Sequence, residues 1–457
     1  MNAKWLPISA AVFMALSSAS AFAADDNGWE FHGYGRLGGQ WDGDGASNMN
    51  TMGKPDYRTV TSNDENNNQV EIQAKKRFQV KGKVYSDFVT RAEYGNENAN
   101  GESLLYSSEG SQHSPSNSGQ FEVKEAYIEM GGFDFLGSDT KIWAGQRFLN
   151  RTQGLLSKEF WKQSSGTGAG VQVGQAGVAL VSTDTDGQLR QADTENDNNK
   201  KNTMTSMDFY YYGVQGGPLG GSFDFDLKLM HAANLDQDDK TCSNATTGNY
   251  VSCADKGYGA AITYNRNYYG FKGWSQTGVA YGKGMAANRG VNFGSWSGGF
   301  GKDTDALFLT SYGVAELTKD LQLGTEVTYW APNHLNWDSD LDVERFLLAA
   351  QPSYKINDNL RAIFTGSYSF ETMKNNVTGG TAWWFGNGKD DKAQYYALEA
   401  ALAFSVDSDY FGRPQIKPYI SWVGADDKYY AGNIGIDDAQ REKKSQTVFG
   451  VEAEVWF

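Results

Sequence analysis

Cysteine, proline and histidine are scarce in this chain: it has two cysteines, eight prolines and four histidines in 457 residues. With so few cysteines, a disulfide-built scaffold is excluded, and with so few histidines, scattered as His32, His113, His231 and His334, no metal-ligand spacing exists. Neither a bound metal nor any other cofactor is expected. Beyond the first 23 residues, no stretch reaches the ~18 unbroken apolar residues of a membrane-spanning helix. Phosphate-binding GxxxxGK(S/T), zinc-binding HExxH, GxSxG and CxxC motifs are all missing, so an enzyme is not expected. Carboxylates are plentiful enough to imagine a glycosidase pair, but solvated loop charge is their ordinary role. A net charge of -15 without a basic stripe excludes nucleic acid as a partner.

What the chain does contain is glycine and aromatic residues, with 54 Gly, 25 Tyr, 25 Phe and 13 Trp. These favour many strands, aromatic girdles, and glycine where a wall bends or crowds. Residues 1–23 combine a basic start at Lys4, an apolar run from Ile8 to Leu16 and the small-residue end Ala21-Phe22-Ala23. That layout predicts a secretory signal, with one mature domain over 24–457. In an oxidising compartment Cys242 and Cys253 are expected to close one loop, which contributes on the order of 2–3 kcal/mol; two unrelated thiols are the alternative.

Segments of period two recur along the whole chain. The last reads Phe449, Val451, Ala453, Val455, Phe457 on one face and Gly450, Glu452, Glu454, Trp456 on the other. The first after the leader sets Phe31, Gly33, Gly35, Leu37 and Trp41 against His32, Tyr34, Arg36 and Gln40. Short linkers such as Lys319-Asp320 alternate with long polar ones such as 184–202, as periplasmic turns alternate with external loops. The pattern predicts an all-β, antiparallel transmembrane β-barrel in the Gram-negative outer membrane, of roughly 16 or 18 strands at ~9–11 residues each. A terminal Phe is an assembly signal of that membrane and speaks against a soluble periplasmic glycan-binding β-sandwich. With the apolar faces toward lipid, Tyr34, Arg36 and Trp456 point into the lumen. Aromatic rings there suit sugar faces, and the charged groups beside them suit hydroxyls.

Three motifs resemble the maltoporin-type carbohydrate porins: FHGYGR at 31–36, IWAGQRF at 142–148 followed by Arg151 and GTGAG at 166–170, and the terminal EVWF. A weaker likeness lies in SDYFGRPQIKPY at 408–419. The resemblance implies an 18-stranded homotrimeric barrel that conducts oligosaccharides, with a third loop folded inward. It implies an aromatic slide of Tyr34, Phe271, Phe411 and Trp456, flanked by Arg36, Arg58, Glu71, Lys124 and Arg151. The constriction loop would run from about Asn150 to Gly168, with Lys158, Glu159, Phe160 and Trp161 near its tip. Gln69 stands where the family carries an aromatic, and Lys158 and Phe160 replace an expected acid and tyrosine. A shorter slide and an altered constriction follow, so the sugar need not be a maltodextrin. A general diffusion pore that has lost the sugar site is the alternative within transport.

Overall fold

The structure, a computed structural model, describes residues 28–42, 45–47, 58–62, 69–78, 82–95, 120–184, 203–216, 220–232, 254–293, 301–335, 340–376, 391–431, 434, 436 and 443–457. The expected leader at 1–23 and the expected Cys242–Cys253 pair lie outside them.

Of the twenty strands among the described residues, two are short, Gly45–Ser47 and Asn292–Phe293, and eighteen form the wall. In chain order the wall strands are β1 Trp29–Asp42, β2 Gln69–Phe78, β3 Tyr85–Gly95, β4 Gln120–Gly131, β5 Thr140–Gln153 and β6 Phe160–Val173. Then follow β7 Ala176–Asp184, β8 Thr203–Gln215, β9 Ser222–Ala232, β10 Lys256–Arg266, β11 Lys272–Gly284 and β12 Asp305–Glu316. The circuit ends with β13 Leu321–Asn333, β14 Leu341–Asn357, β15 Leu360–Asn375, β16 Asp391–Ser405, β17 Gln415–Ala425 and β18 Ser445–Trp456. Each pairs antiparallel with the next, and β18 returns to β1 in a register that sets Trp456 opposite Tyr34 and Glu454 opposite Arg36. Closure leaves no sheet edge, the condition for a strand protein to sit in lipid. The only helix among the described residues is the single turn Lys428–Ala431.

Sequence alternation becomes two-sidedness of the wall. Phe31, Leu37, Phe225, Leu227, Phe364, Leu398, Phe449 and Val451 are exposed on the outside, while their neighbours Arg36, Asp226, Lys228, Glu399, Glu452 and Glu454 are buried within. Where a bulky ring must cross a neighbouring strand, that strand has glycine. The ring of Phe457 lies over Gly33, so close that a Cβ there would stand 2.3 Å from it. The two residues exchange backbone hydrogen bonds of 2.9 and 3.0 Å, fastening the seam.

Candidate functional site: the lumen and its constriction

The hairpin of β5 and β6 bends off the wall. Asn150 takes a left-handed φ of 53°, and the register breaks between Leu149 and Thr152 and again before Gln153. Its tip, residues 154–159, reaches the inner face of β13, where the buried Glu326 accepts hydrogen bonds from the N–H groups of Leu156 (2.6 Å) and Ser157 (3.1 Å) and from the Ser157 hydroxyl (2.5 Å). The third loop is thus folded inward as expected, but it is largely strand: pairing continues to Gln153 and resumes at Phe160, leaving Lys158 and Glu159 in the turn. Lys158 is itself left-handed, with a φ of 55°.

Two other inward segments brace this hairpin and the wall behind it. A two-residue strand, Asn292–Phe293, pairs in parallel with Gln163 and Ser164 of β6. The Asn292 amide donates to the Phe160 carbonyl at 2.9 Å. Residues 58–62, from the connection between β1 and β2, run along β15 and β16. The Val60 N–H donates to Ser367 Oγ (3.0 Å), Ser369 Oγ donates to the Arg58 carbonyl (2.5 Å), and the Ser62 N–H donates to Glu399 (2.7 Å). Arg58 then pairs with Glu371 at 2.9 Å, alongside Arg345 at 2.5 Å. Of the expected polar track, Arg58 therefore belongs to this strut.

Of the remaining expected residues, Glu71, Lys124 and Arg151 lie on β2, β4 and β5, and Arg36 and Trp456 lie at the seam of β1 and β18. Glu71 and Glu125 both pair with Arg91, each at 2.7 Å. Lys124 sits half-buried at the register break of β4. The Arg151 guanidinium lies between two rings, 4.4 Å from the centroid of Phe148 and 3.7 Å from that of Phe160. It makes no ion pair among the described residues. Trp456 faces inward with the Arg413 guanidinium 4.4 Å over its ring, and Arg413 is held by Glu454 at 2.6 Å. Arg36 also points inward, but it is only 2 % exposed: Glu452 takes it at 2.5 Å and the Ser62 carbonyl at 3.0 Å. Lys417 completes that cluster, 3.1 Å from Glu452.

Two aromatic positions differ from expectation. Trp161 is not at the tip but buried at 1 % exposure, stacked on Phe308 (5.9 Å) and donating to the Tyr312 hydroxyl at 3.3 Å. Gly278 leaves it room. Phe271 lies in the turn between β10 and β11, 54 % exposed, and no ring contact joins it to Tyr34, Phe411 or Trp456 among the described residues. Phe411 instead stacks on Trp274 at 6.4 Å, which meets Tyr312 edge-on at 6.1 Å. A chain of rings therefore runs from Phe308 to Phe411, buried at one end and half-exposed at the other. Trp274, Arg413 and Glu454 are additions to the expected set. Alternation could have found Glu454, since it shares the face of Trp456.

A closed barrel of eighteen antiparallel strands, apolar outside, charged inside and narrowed by an infolded hairpin, is an outer-membrane porin. Comparison with known families then matches residues 29–457 to the LamB porin family, and the chain belongs to that family in the Gram-negative outer membrane. It is similar to the maltoporin of Vibrio cholerae serotype O1, 23 % identical over 472 aligned residues that cover 98 % of each chain. The maltoporin of Photobacterium profundum is 22 % identical over 75 % of this chain and 71 % of its own. Among solved structures, OprD of Pseudomonas aeruginosa gives a TM-score of 0.47 at 9 % identity, covering 97 % of this chain and 96 % of its own. DcaP of Acinetobacter baumannii gives 0.42 at 13 %, covering 96 % of this chain and 100 % of its own.

Proposed function

We propose that this porin is a passive channel for oligosaccharides, assembled as a homotrimer in outer-membrane lipid, and not an enzyme. The observation that carries the reading is the row at the barrel seam: Tyr34 opposite Trp456 across the β1–β18 register, with Arg413 and Glu454 beside the indole. A sugar ring there meets the half-exposed ring of Tyr34 for its C–H faces, while the indole of Trp456 is buried under the Arg413 guanidinium and helps to hold the charges that face the hydroxyls, so water lost on entry is replaced by donors and acceptors already in place. The maltoporin names of its relatives and the family membership support a saccharide as cargo. Transport requires weak binding, in the millimolar-to-micromolar range of about -4 to -8 kcal/mol, because a tightly held solute does not leave. No chemical step is needed; the work is done by exchange of hydration for wall contacts.

The test is sugar block of ion current through single channels. Ring stacking contributes ~1 kcal/mol beyond area burial. Tyr34→Ala should therefore raise the half-blocking concentration of a di- or trisaccharide by about several-fold to tenfold, with open conductance equal or larger. A parent channel that no oligosaccharide blocks would make it a general diffusion pore.

A further inference from the structure

We infer that the channel has a second constriction, at its periplasmic mouth, formed by the connection between β16 and β17. This constriction is a property of the bore, whatever solute the channel carries. Antiparallel alternation places the connection at the end where the chain enters β1 and leaves β18. Other connections at that end are tight, residues 174–175, 317–320 and 358–359, whereas this one takes residues 406–414. As few as about two residues join antiparallel strands, so most of its length is not needed to turn the chain.

That length is folded into the barrel. Ser408, Tyr410 and Gly412 are buried. The Tyr410 hydroxyl donates to Gln351 Oε1 of β14 at 2.7 Å, and its ring lies against Gly324 of β13, where a Cβ would collide with it. Phe411 stacks on Trp274 of β11. The Gln322 amide of β13 donates to the Asp409 carboxylate at 2.8 Å, and the guanidinium of Arg361 on β15, 1 % exposed, donates to the Asp409 carbonyl. On the other flank Arg413 reaches Glu454 of β18 at 2.6 Å. Each of these wall residues lies on the lumen-facing side of its strand, so residues 406–414 are held by inner faces from β11 round to β18 and bridge part of the lumen. The hairpin constriction lies close by. Gly324, under Tyr410, and Glu326, under the hairpin tip, are successive inward positions of β13, and two residues of strand span about 7 Å. A solute that clears the hairpin meets the turn almost at once, so the two act in series. Phe411 is the half-exposed ring of the turn, and it sets the width there.

The experiment records single-channel conductance of the full-length protein in planar bilayers with neutral polyethylene glycols of graded size. Phe411→Ala and Phe411→Trp keep the Tyr410, Arg361 and Arg413 anchors, so the turn stays docked while its ring shrinks or grows. Resistances in series add, so relieving one of two comparable constrictions raises conductance by at most about twofold. Conductance should rise within that limit in Phe411→Ala and fall in Phe411→Trp, and the largest polymer admitted should shift in the same sense. Lys319→Trp, on an exposed short turn at the same end, should change neither. Parent-like values in both Phe411 variants, or a shift of the same sign in both, overturn the exit constriction. The parent supplies a test that needs no variant: with polymer added to one side at a time, the size limit should be smaller from one mouth than from the other. Equal limits from the two sides overturn the exit constriction as well. Sugar block plays no part in these measurements, so their failure leaves the oligosaccharide reading standing.

Discussion

Glu326→Ala should loosen the constriction while leaving the barrel closed. Glu326 is fully buried on β13 and accepts three hydrogen bonds from the hairpin tip, two of them from backbone N–H groups that have nowhere else to go. No lysine or arginine pairs with it among the described residues, so its hold on the tip is made of neutral donors alone. Truncation leaves the Leu156 and Ser157 N–H groups unsatisfied at roughly 1–3 kcal/mol each, for a local loss of about 2–6 kcal/mol. The tip then frees itself to find water. The Trp161 anchor behind it, stacked on Phe308, is untouched, so the hairpin base stays docked. Single-channel recording should show a higher mean conductance and faster current noise, and limited proteolysis should cut between Gly154 and Glu159 at a rate the parent resists. Glu326→Gln, which keeps an acceptor, should fall between. Parent-like conductance, noise and proteolysis in Glu326→Ala would refute the view that this carboxylate pins the constriction.

On the lipid face, Val451→Arg should cost roughly 2–4 kcal/mol near mid-membrane. The heat-modifiable, folded band on a detergent gel should weaken accordingly. Outside the membrane, His334 Nδ1–H donates to the Asp340 carboxylate at 2.9 Å, and that hydrogen bond raises the imidazole above its usual value. The stabilisation is present below about pH 6.5, the unfolded value, and is lost as pH rises through the folded one. An NMR titration should find His334 above about 6.5 in the parent and lower in Asp340→Asn.

Much of the wall was legible because a barrel strand carries its instruction locally: Phe449, Val451 and Val455 outward and Glu452, Glu454 and Trp456 inward can be read from alternation alone. Strand count could be narrowed only to roughly 16 or 18 from length, and eighteen is found. The struts were not legible, because their partners are remote. Arg58 meets Glu371 and Leu156 meets Glu326 across separations of 313 and 170 residues, and no periodicity links such positions. Trp161 was misplaced for a related reason. A bulky ring near a turn reads the same whether it tips the loop or anchors its base, and the glycine that makes room for it, Gly278, lies on a distant strand.

The strut formed by residues 58–62 has a consequence for the shape of the bore. Along β15 and β16 the inward groups Ser367, Ser369, Glu371 and Glu399 already bond this stretch of the protein's own backbone and side chains, which occupies them as a permanently tethered solute would. A passing solute is therefore expected to touch the wall chiefly where Tyr34, Arg91, Tyr127 and Arg147 remain half-exposed. Substitutions on the two halves should sort into different phenotypes: those at Glu371 or Glu399 loosen the lining and alter traffic only indirectly, whereas those at Arg91 or Arg147 change the walls that a passing solute touches.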